Sequence, residues 1–389
     1  MIKPPAPLGI LGDGQLALML GESALKHGLE FFAFGKDKES SVARDHPSRH
    51  LPEDMLFQLE CSHILLENEF SGVPRLLQLE ATGHSLIPRA QDFVYFAHKI
   101  AQRAFYAGLK IPSPKWTAIN SDALEKQIFS ALKLAETEHS YPFVVKKSQG
   151  GYDGYGVRVV RNHLEFTNAL SQFGFDQGAD VLLEECVQIS HEFAQGALFD
   201  GNGNYNLLPL VETVQRNGIC ECVISRLNLS VEILREIQAK AITIFRKIAN
   251  SGIKGLFNFE FFLTKDLRIL INEGAPRPHN SQHLTLNAAP ISQFDMLVYF
   301  AKNGSLPLPT ESIVPCKPAV MVNLLGQRDS DAYSLTLPSY PAEIGVHTKL
   351  YQKKTSRVGR KMGHVVLVDE SGTFNLSELA EHTLREYNL

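Results

Sequence analysis

The 389-residue chain lacks any apolar run near the roughly 20 residues that a membrane-spanning helix requires. It also lacks an excess of positive charge. With 38 Lys and Arg against 42 Asp and Glu the net charge is −4, so electrostatics give no reason to expect a nucleic-acid or anionic-membrane partner. Cysteine is scarce: Cys61, Cys186, Cys220, Cys222 and Cys316 form no CxxC pair and no Cys/His metal spacing, which predicts reduced, partly buried thiols. The first residues carry Lys3 ahead of Pro4, Pro5 and Pro7 and lead into a glycine-rich loop, without the apolar core of a secretory signal, so a cytoplasmic location is expected. No internal repeat or low-complexity segment is present. What remains is an ordinary globular composition, 44% hydrophobic and 21% charged, in a length that suits two or three domains.

The most informative stretch is Phe257 to His283, FNFEFFLTKDLRILINEGAPRPHNSQH. Residues 257–263 and 267–272 are apolar runs of strand length around Lys265–Asp266, which predicts a β-hairpin. A two-residue loop at Asp266 and Leu267 would set Glu260 directly opposite Glu273, with Cβ atoms roughly 5 Å apart on one face. Like charges so placed among Phe, Leu and Ile repel unless a cation joins them. A hard divalent ion, Mg²⁺ or Mn²⁺, held by one or two carboxylates plus phosphate oxygens, suits the pair. The plainer alternative is two solvated carboxylates on a wet hairpin face. Against it stands the next segment, where Arg277, His279, Asn280, Ser281 and His283 crowd together while Pro276 and Pro278 keep the backbone out of helix. A carboxylate pair running into a cationic, hydrogen-bonding loop predicts a phosphoryl-transfer site.

Other segments are consistent with nucleotide chemistry. Leu8–Leu11 predicts a strand, followed by Gly12-Asp13-Gly14-Gln15-Leu16-Ala17, a helix to near Gly28 and a second strand at 30–34. Amides at that helix start are able to hold an anion, although the pattern alone fits a dinucleotide site, a phosphate site or a bare βα turn. Residues 141–147, YPFVVKK, predict a buried strand opening into Ser148–Gly156, whose four glycines suit a mobile loop with amides close to phosphates and Lys146 adding charge. A helix is expected through 92–108. Another is expected over 230–250, with Ile233, Ile237, Ala241, Ile244 and Ile248 on one stripe and Gly252 at its end. Strands are expected near 206–211, 219–225, 318–324, 346–351 and 363–368.

NEGAPRPHNSQH resembles the NE-x-APRPHNSGH segment of the 5-(carboxyamino)imidazole ribonucleotide synthase family, ATP-grasp enzymes of purine biosynthesis. The resemblance extends over nearly the whole chain: G-x-GQL at Gly12–Leu16, EFENVP at Glu69–Pro74 with Ser71 for the second glutamate, DRxxxKxF at His98–Phe105 with Lys99 for arginine, GGYDGRG at Gly150–Gly156 with Tyr155 for arginine, and RPGRKMGH at Arg357–His364. It implies an α/β ATP-grasp fold with a Rossmann-like N-terminal domain over 1–100, an ATP-grasp domain over 101–300 and a small β-rich C-terminal module over 301–389. It implies ATP contacts from Lys99, Lys146, Gly151, Tyr152, Asp153, Gly154, Tyr155, Gly156, Val157, the adenine hinge Glu184, Glu185, Cys186 and Val187, the ribose-side Glu192, and Gln215, Asn272 and Glu273. Mg²⁺ falls to Glu260 and Glu273. Lys146, Arg277, His279, Asn280, Tyr152 and Asp153 are placed at the chemistry, and Gln15, Lys353, Arg360 and Lys361 at the ribonucleotide. The implied reaction joins bicarbonate to aminoimidazole ribonucleotide with ATP cleavage, in a homodimer. Alternatives are another ATP-grasp carboxylate–amine ligase, a nicotinamide-dependent oxidoreductase built on residues 12–17, and a nucleotide-binding relative without catalysis. The formate-dependent glycinamide ribonucleotide transformylase shares APRPH but usually continues with aspartate where this chain has Asn280.

Overall fold

The computed structural model describes residues 6–121, 140–150, 156–216, 218–227 and 229–389. Near the N-terminus, β1 (Leu8–Leu11), β2 (Phe31–Gly35), β3 (His50–Pro52), β4 (Ile64–Leu66) and β5 (Leu86–Ile87) form a parallel sheet in the order β3-β2-β1-β4-β5. All four residues of β1 are buried, as parallel strands covered on both faces require. The helix Gln15–Lys26 packs Leu16, Leu18 and Leu20 into a core shared with Phe294, Leu297 and Phe300 of the helix Gln293–Asn303. Asp295 fastens the two helices, accepting from Ser23 Oγ and Lys26 Nζ at 2.8 Å each.

A second sheet comprises β6 (Trp116–Ile119), β7 (Phe143–Lys147), β8 (Val157–Val160) and β9 (Val181–Glu185), antiparallel in the order β6-β9-β7-β8 among the described residues. The third is the largest. It contains β10 (Ile189–Asp200), β11 (Tyr205–Leu207), β12 (Val211–Arg216), β13 (Ile219–Ile224), β14 (Lys254–Thr264), β15 (Ile269–Ala275), β16 (Ala319–Leu325), β17 (Ile344–Leu350) and β18 (Lys361–Asp369). Its order is β15-β14-β10-β12-β13-β16-β18-β17, with β11 on β10. The ladder passes from β13 to β16 without interruption, so the last 70 residues extend the same sheet that carries Glu260 and Glu273.

The helix Val231–Asn250, capped by the Ser230 hydroxyl, buries Ile237, Ala241, Ile244 and Ile248 against phenylalanines of β10 and β14. Gly252 follows in the left-handed region at φ +80°, the conformation a helix-ending glycine supplies without strain. Two expectations are corrected. The helix expected through 92–108 is broken: Ala90–Phe93 and a 3-10 turn at Val94–Phe96 precede a separate helix, Lys99–Gly108. His98 is extended there and its Nδ1 accepts from the Ala101 amide at 3.2 Å, a side-chain cap that restarts the helix. The run expected at 206–211 is likewise two strands, interrupted over 208–210.

Candidate active site

Lys146 and Glu184 lie on neighbouring strands, with Lys146 opposite Leu182. Side chains alternate along a strand, so Glu184, two residues from Leu182, shares the face of Lys146. Lys146 is 6% exposed, its Nζ 2.7 Å from Glu184 Oε2 and 2.9 Å from Asn272 Oδ1. Arg103, fully buried on the helix Lys99–Gly108, gives Nε and Nη2 to the other Glu184 oxygen. Burial pulls the Lys146 pKa below its ordinary value, and Arg103 and Lys99 add to this against the pull of Glu184. Burial opposes ionisation of Glu184 too, but Lys146 and Arg103 outweigh it and hold that carboxyl low.

Glu260 does face Glu273, by a different route from the one expected. The hairpin loop has three residues, not two: Thr264 pairs with Arg268 through a 3.0 Å hydrogen bond, and Leu267 takes the left-handed conformation at φ +61°. That loop alone would set Glu260 opposite Asn272. A bulge between Phe261–Ile271 and Glu260–Glu273 inserts Asn272 as the extra residue and returns Glu273 to register. The two carboxylates then differ electrostatically. Burial, Glu273 and Glu192 push Glu260 up to about 7. Burial also acts to raise Glu273, but Lys99, 2.7 Å away, together with Lys146 and Arg103, brings it below its ordinary value.

The loop after β15 is held from both sides. Arg277 makes a two-pronged ion pair with Glu69, Nη2 to Oε1 at 2.9 Å, and its carbonyl accepts from Asn258 Nδ2 at 2.8 Å. The His279 ring nitrogen lies 3.9 Å from Glu260 Oε1, and Nδ1 is 3.0 Å from Ser281 Oγ. Burial, then the charges of Arg277 and Lys361, lower the His279 pKa to about 3, so the imidazole is neutral. Asn280 exchanges two 2.8 Å hydrogen bonds with Asn323 of β16, tying the loop to the C-terminal strands. His283 is buried beside His364, whose Nδ1 meets Tyr351 Oη at 2.8 Å.

The N-terminal glycine loop wraps a carboxylate of the chain itself. A Cβ at Gly12 or Gly14 would collide with the Glu67 oxygens, which accept from Asn68 Nδ2 (3.1 Å) and the Leu16 amide. The helix-start amide expected to be open to an anion is therefore engaged by Glu67. Gln15, just beyond, lines the cleft. On the far side stand Lys353, Arg360 and Lys361. Arg360 Nη1 donates to the Thr355 carbonyl at 3.0 Å, and Lys353 Nζ lies 5.7 Å from the centre of the Tyr351 ring. Ser41 Oγ bonds the Tyr351 carbonyl, and Lys354 Nζ lies 3.5 Å from Glu39, so the C-terminal turn is braced on the first domain.

One cleft takes in most of the expected residues that the structure describes, though not the expected adenine hinge. Lys99, Lys146, Val157, Glu192, Gln215, Asn272 and Glu273 line it, as do Glu260, Arg277, His279 and Asn280, and Gln15 with the C-terminal trio. Glu184 is not on its wall but behind Lys146. Glu185 accepts from the Lys115 amide at 3.1 Å, and Cys186 and Val187 follow half-buried. The Gly156 carbonyl accepts from the Lys147 amide at 2.8 Å. Gly151, Tyr152, Asp153, Gly154 and Tyr155 lie outside the described residues. Sequence reasoning missed Arg103, Gln102 and Glu67. Gln102 brackets Gly274, accepting from its amide at 2.9 Å and donating to its carbonyl at 3.1 Å. Helical spacing from Lys99 was the available signal for Gln102 and Arg103, since residues three and four apart share a face.

Comparison with known proteins fits this geometry. Residues 104–294 match the ATP-grasp domain, and residues 319–374 match the phosphoribosylaminoimidazole carboxylase C-terminal domain. The N5-carboxyaminoimidazole ribonucleotide synthase of Synechococcus elongatus is 31% identical over 94% of this chain and 90% of its own. The chain belongs to the N5-carboxyaminoimidazole ribonucleotide synthase family. The Mycobacterium leprae member of that family is also 31% identical, over 92% of this chain and 83% of its own. The synthetase of Thermotoga maritima superposes with a TM-score of 0.75 at 27% identity, covering 98% of this chain and 97% of that one. The Aspergillus clavatus synthase complexed with ATP gives 0.79 at 25% identity, with 97% and 96% covered. The fold is that of ATP-grasp ligases, and no helix among the described residues is long and apolar enough to cross a membrane.

Proposed function

We propose that the chain carboxylates 5-aminoimidazole ribonucleotide with bicarbonate, cleaving ATP to ADP and phosphate, in the cytoplasm and as a homodimer. One observation carries the reading: a single cleft brings Lys146 and the opposed Glu260 and Glu273 together with Gln15, Lys353, Arg360 and Lys361 from the two ends of the chain. The first group suits nucleotide phosphates, the second a ribonucleotide phosphate. Family membership supports both assignments.

Glu260 and Glu273 fit a hard divalent ion. They are two facing carboxylates, a donor set that leaves coordination positions for phosphate oxygens and water. When bound there, Mg²⁺ would neutralise phosphate charge. Lys146 offsets charge on the β- and γ-phosphates as the γ-phosphoryl group passes to a bicarbonate oxygen, giving carboxyphosphate and ADP. The ribonucleotide amine then attacks the carboxyl carbon, or CO₂ released from it. The N–C bond forms, phosphate leaves, and the amine loses a proton. Neutral His279 has a ring nitrogen suited to hydrogen bonding at the reacting carboxyl, while Arg277 suits its negative charge. Loss of the cleft's ribonucleotide half should leave nucleotide binding intact. Calorimetric titration with ADP and Mg²⁺, then with aminoimidazole ribonucleotide, tests this division. Two saturable sites on one chain are expected, and a chain that binds ADP but not the ribonucleotide overturns the substrate assignment.

A further inference from the structure

Arg103 takes no part in the reaction described above, and it lies off the cleft wall. Burying a guanidinium is costly unless it is fully paired, so a 2% exposed arginine in a helix that otherwise packs Phe105 and Tyr106 into the core needs a reason. Among the described residues its guanidinium pairs with Glu184, also 2% exposed, and the pairing is divided by oxygen: Arg103 takes Oε1 through Nε and Nη2, and Lys146 takes Oε2. Glu184 is thereby prevented from turning both oxygens onto Lys146. The charges of the three groups sum to plus one, and Lys146 is the member on the cleft wall. Two of its three N–H groups go to Glu184 and Asn272, which leaves one for an incoming oxygen.

We propose that Arg103 is a positioning residue for the nucleotide, holding Glu184 so that Lys146 stays extended and incompletely neutralised toward the phosphates. The inference rests on the reading of this half of the cleft as the nucleotide site, and it is independent of the acceptor substrate. The same helix contributes Lys99 to Glu273 and Gln102 to Gly274, so it touches the carboxylate strand as well as the strand of Glu184.

Replacement by methionine keeps the length of the side chain and removes charge and donors. In Arg103→Met, ADP affinity measured with Mg²⁺ by calorimetry should fall about ten- to a hundredfold, the loss expected for a charge-assisted contact. Affinity for aminoimidazole ribonucleotide should be unchanged. A purely structural arginine would lower the melting temperature and the active fraction without separating the two ligands. Wild-type ADP affinity, or equal losses for both ligands, overturns the proposal. Should Arg103→Met fail to fold, Arg103→Lys decides, because it keeps the charge but offers a point donor in place of the fork. ADP affinity about threefold weaker with ribonucleotide affinity unchanged supports the role. Unchanged ADP affinity, or an equal loss of both, refutes it. If wild-type protein binds ADP but no ribonucleotide, the substrate assignment fails while the Arg103 comparison stands on the ADP arm.

Discussion

Glu260 and Glu273 occupy facing positions yet hold their protons differently, and this difference is testable one residue at a time. Glu273 has Lys99 beside it, whereas Glu260 faces a neutral His279 and two other carboxylates. A carboxyl raised to about 7 in the folded protein binds its proton more tightly there than in the unfolded chain. The stability this confers is complete at pH values below the ordinary carboxylate range and is lost as pH rises toward 7. In metal-free protein, Glu260→Gln should therefore be increasingly more stable than wild type between pH 5 and pH 8, read as a growing difference in melting temperature. A difference that stays flat with pH would place Glu260 in ordinary solvent contact. Comparing the variant with wild type matters because His279, His283 and His364 are all held neutral by burial and destabilise the fold in the opposite direction, on acidification. Glu273→Gln should lower ATP turnover by about a hundredfold or more, the scale of losing one electrostatic group at a transferring phosphoryl, with little change in melting temperature. Retention of most of the ATP turnover would make Glu273 a solvated hairpin residue.

The hairpin β14–β15 shows what was legible at the level of an element and what was not. Alternating apolar residues, the Lys-Asp turn and the two carboxylates were plain in the sequence. A two-residue loop predicts the opposition of Glu260 and Glu273. The actual loop is one residue longer, and the bulge at Asn272 compensates for the shift. Nothing local to 264–268 announces a bulge four residues away. Its setting does: Lys146, on another sheet, takes Asn272 Oδ1 as a partner. Deleting Asn272 leaves Glu273 in the place opposite Glu260 that the three-residue loop sets, but removes the local bend of the bulge together with the Lys146 partner, so a larger fall in ATP turnover is expected than from losing that partner alone. Asn272→Ala keeps the bulge and loses one hydrogen bond to Lys146, so a loss of only about tenfold is expected. Equal kcat/KM for ATP in the two variants would show that the bulge does not set the site. The break in the helix expected through 92–108 was hidden for a similar reason. His98 is an unusual cap, and its role depends on a ring nitrogen accepting from Ala101.

At the scale of the molecule, the cleft joins residues from Asp13 to Lys361, and distance along the chain concealed its pairings. The motifs were readable one by one. The Arg277–Glu69 pair, the Asn280–Asn323 exchange and the Arg103–Glu184–Lys146 chain each span 38 to 208 positions and needed the fold. The fold also bears on two departures from the family pattern. Gln282, where the family segment has glycine, is fully buried, so that substitution falls on packing, while Lys99 stands in the cleft. If Arg360 holds the ribonucleotide phosphate, Arg360→Ala should raise the KM for the ribonucleotide about ten- to a hundredfold and leave that for ATP nearly unchanged. Equal losses would assign the C-terminal turn to support of the fold. The central claim is a ligase in which both halves of this cleft work on one reaction, and phosphate release from ATP in the presence of bicarbonate, with and without 5-aminoimidazole ribonucleotide, tests it most directly. Release that requires bicarbonate and is strongly stimulated by the ribonucleotide, with one phosphate per carboxylated amine, is the predicted result. Release indifferent to the ribonucleotide, or none with all three substrates and Mg²⁺ present, would contradict it.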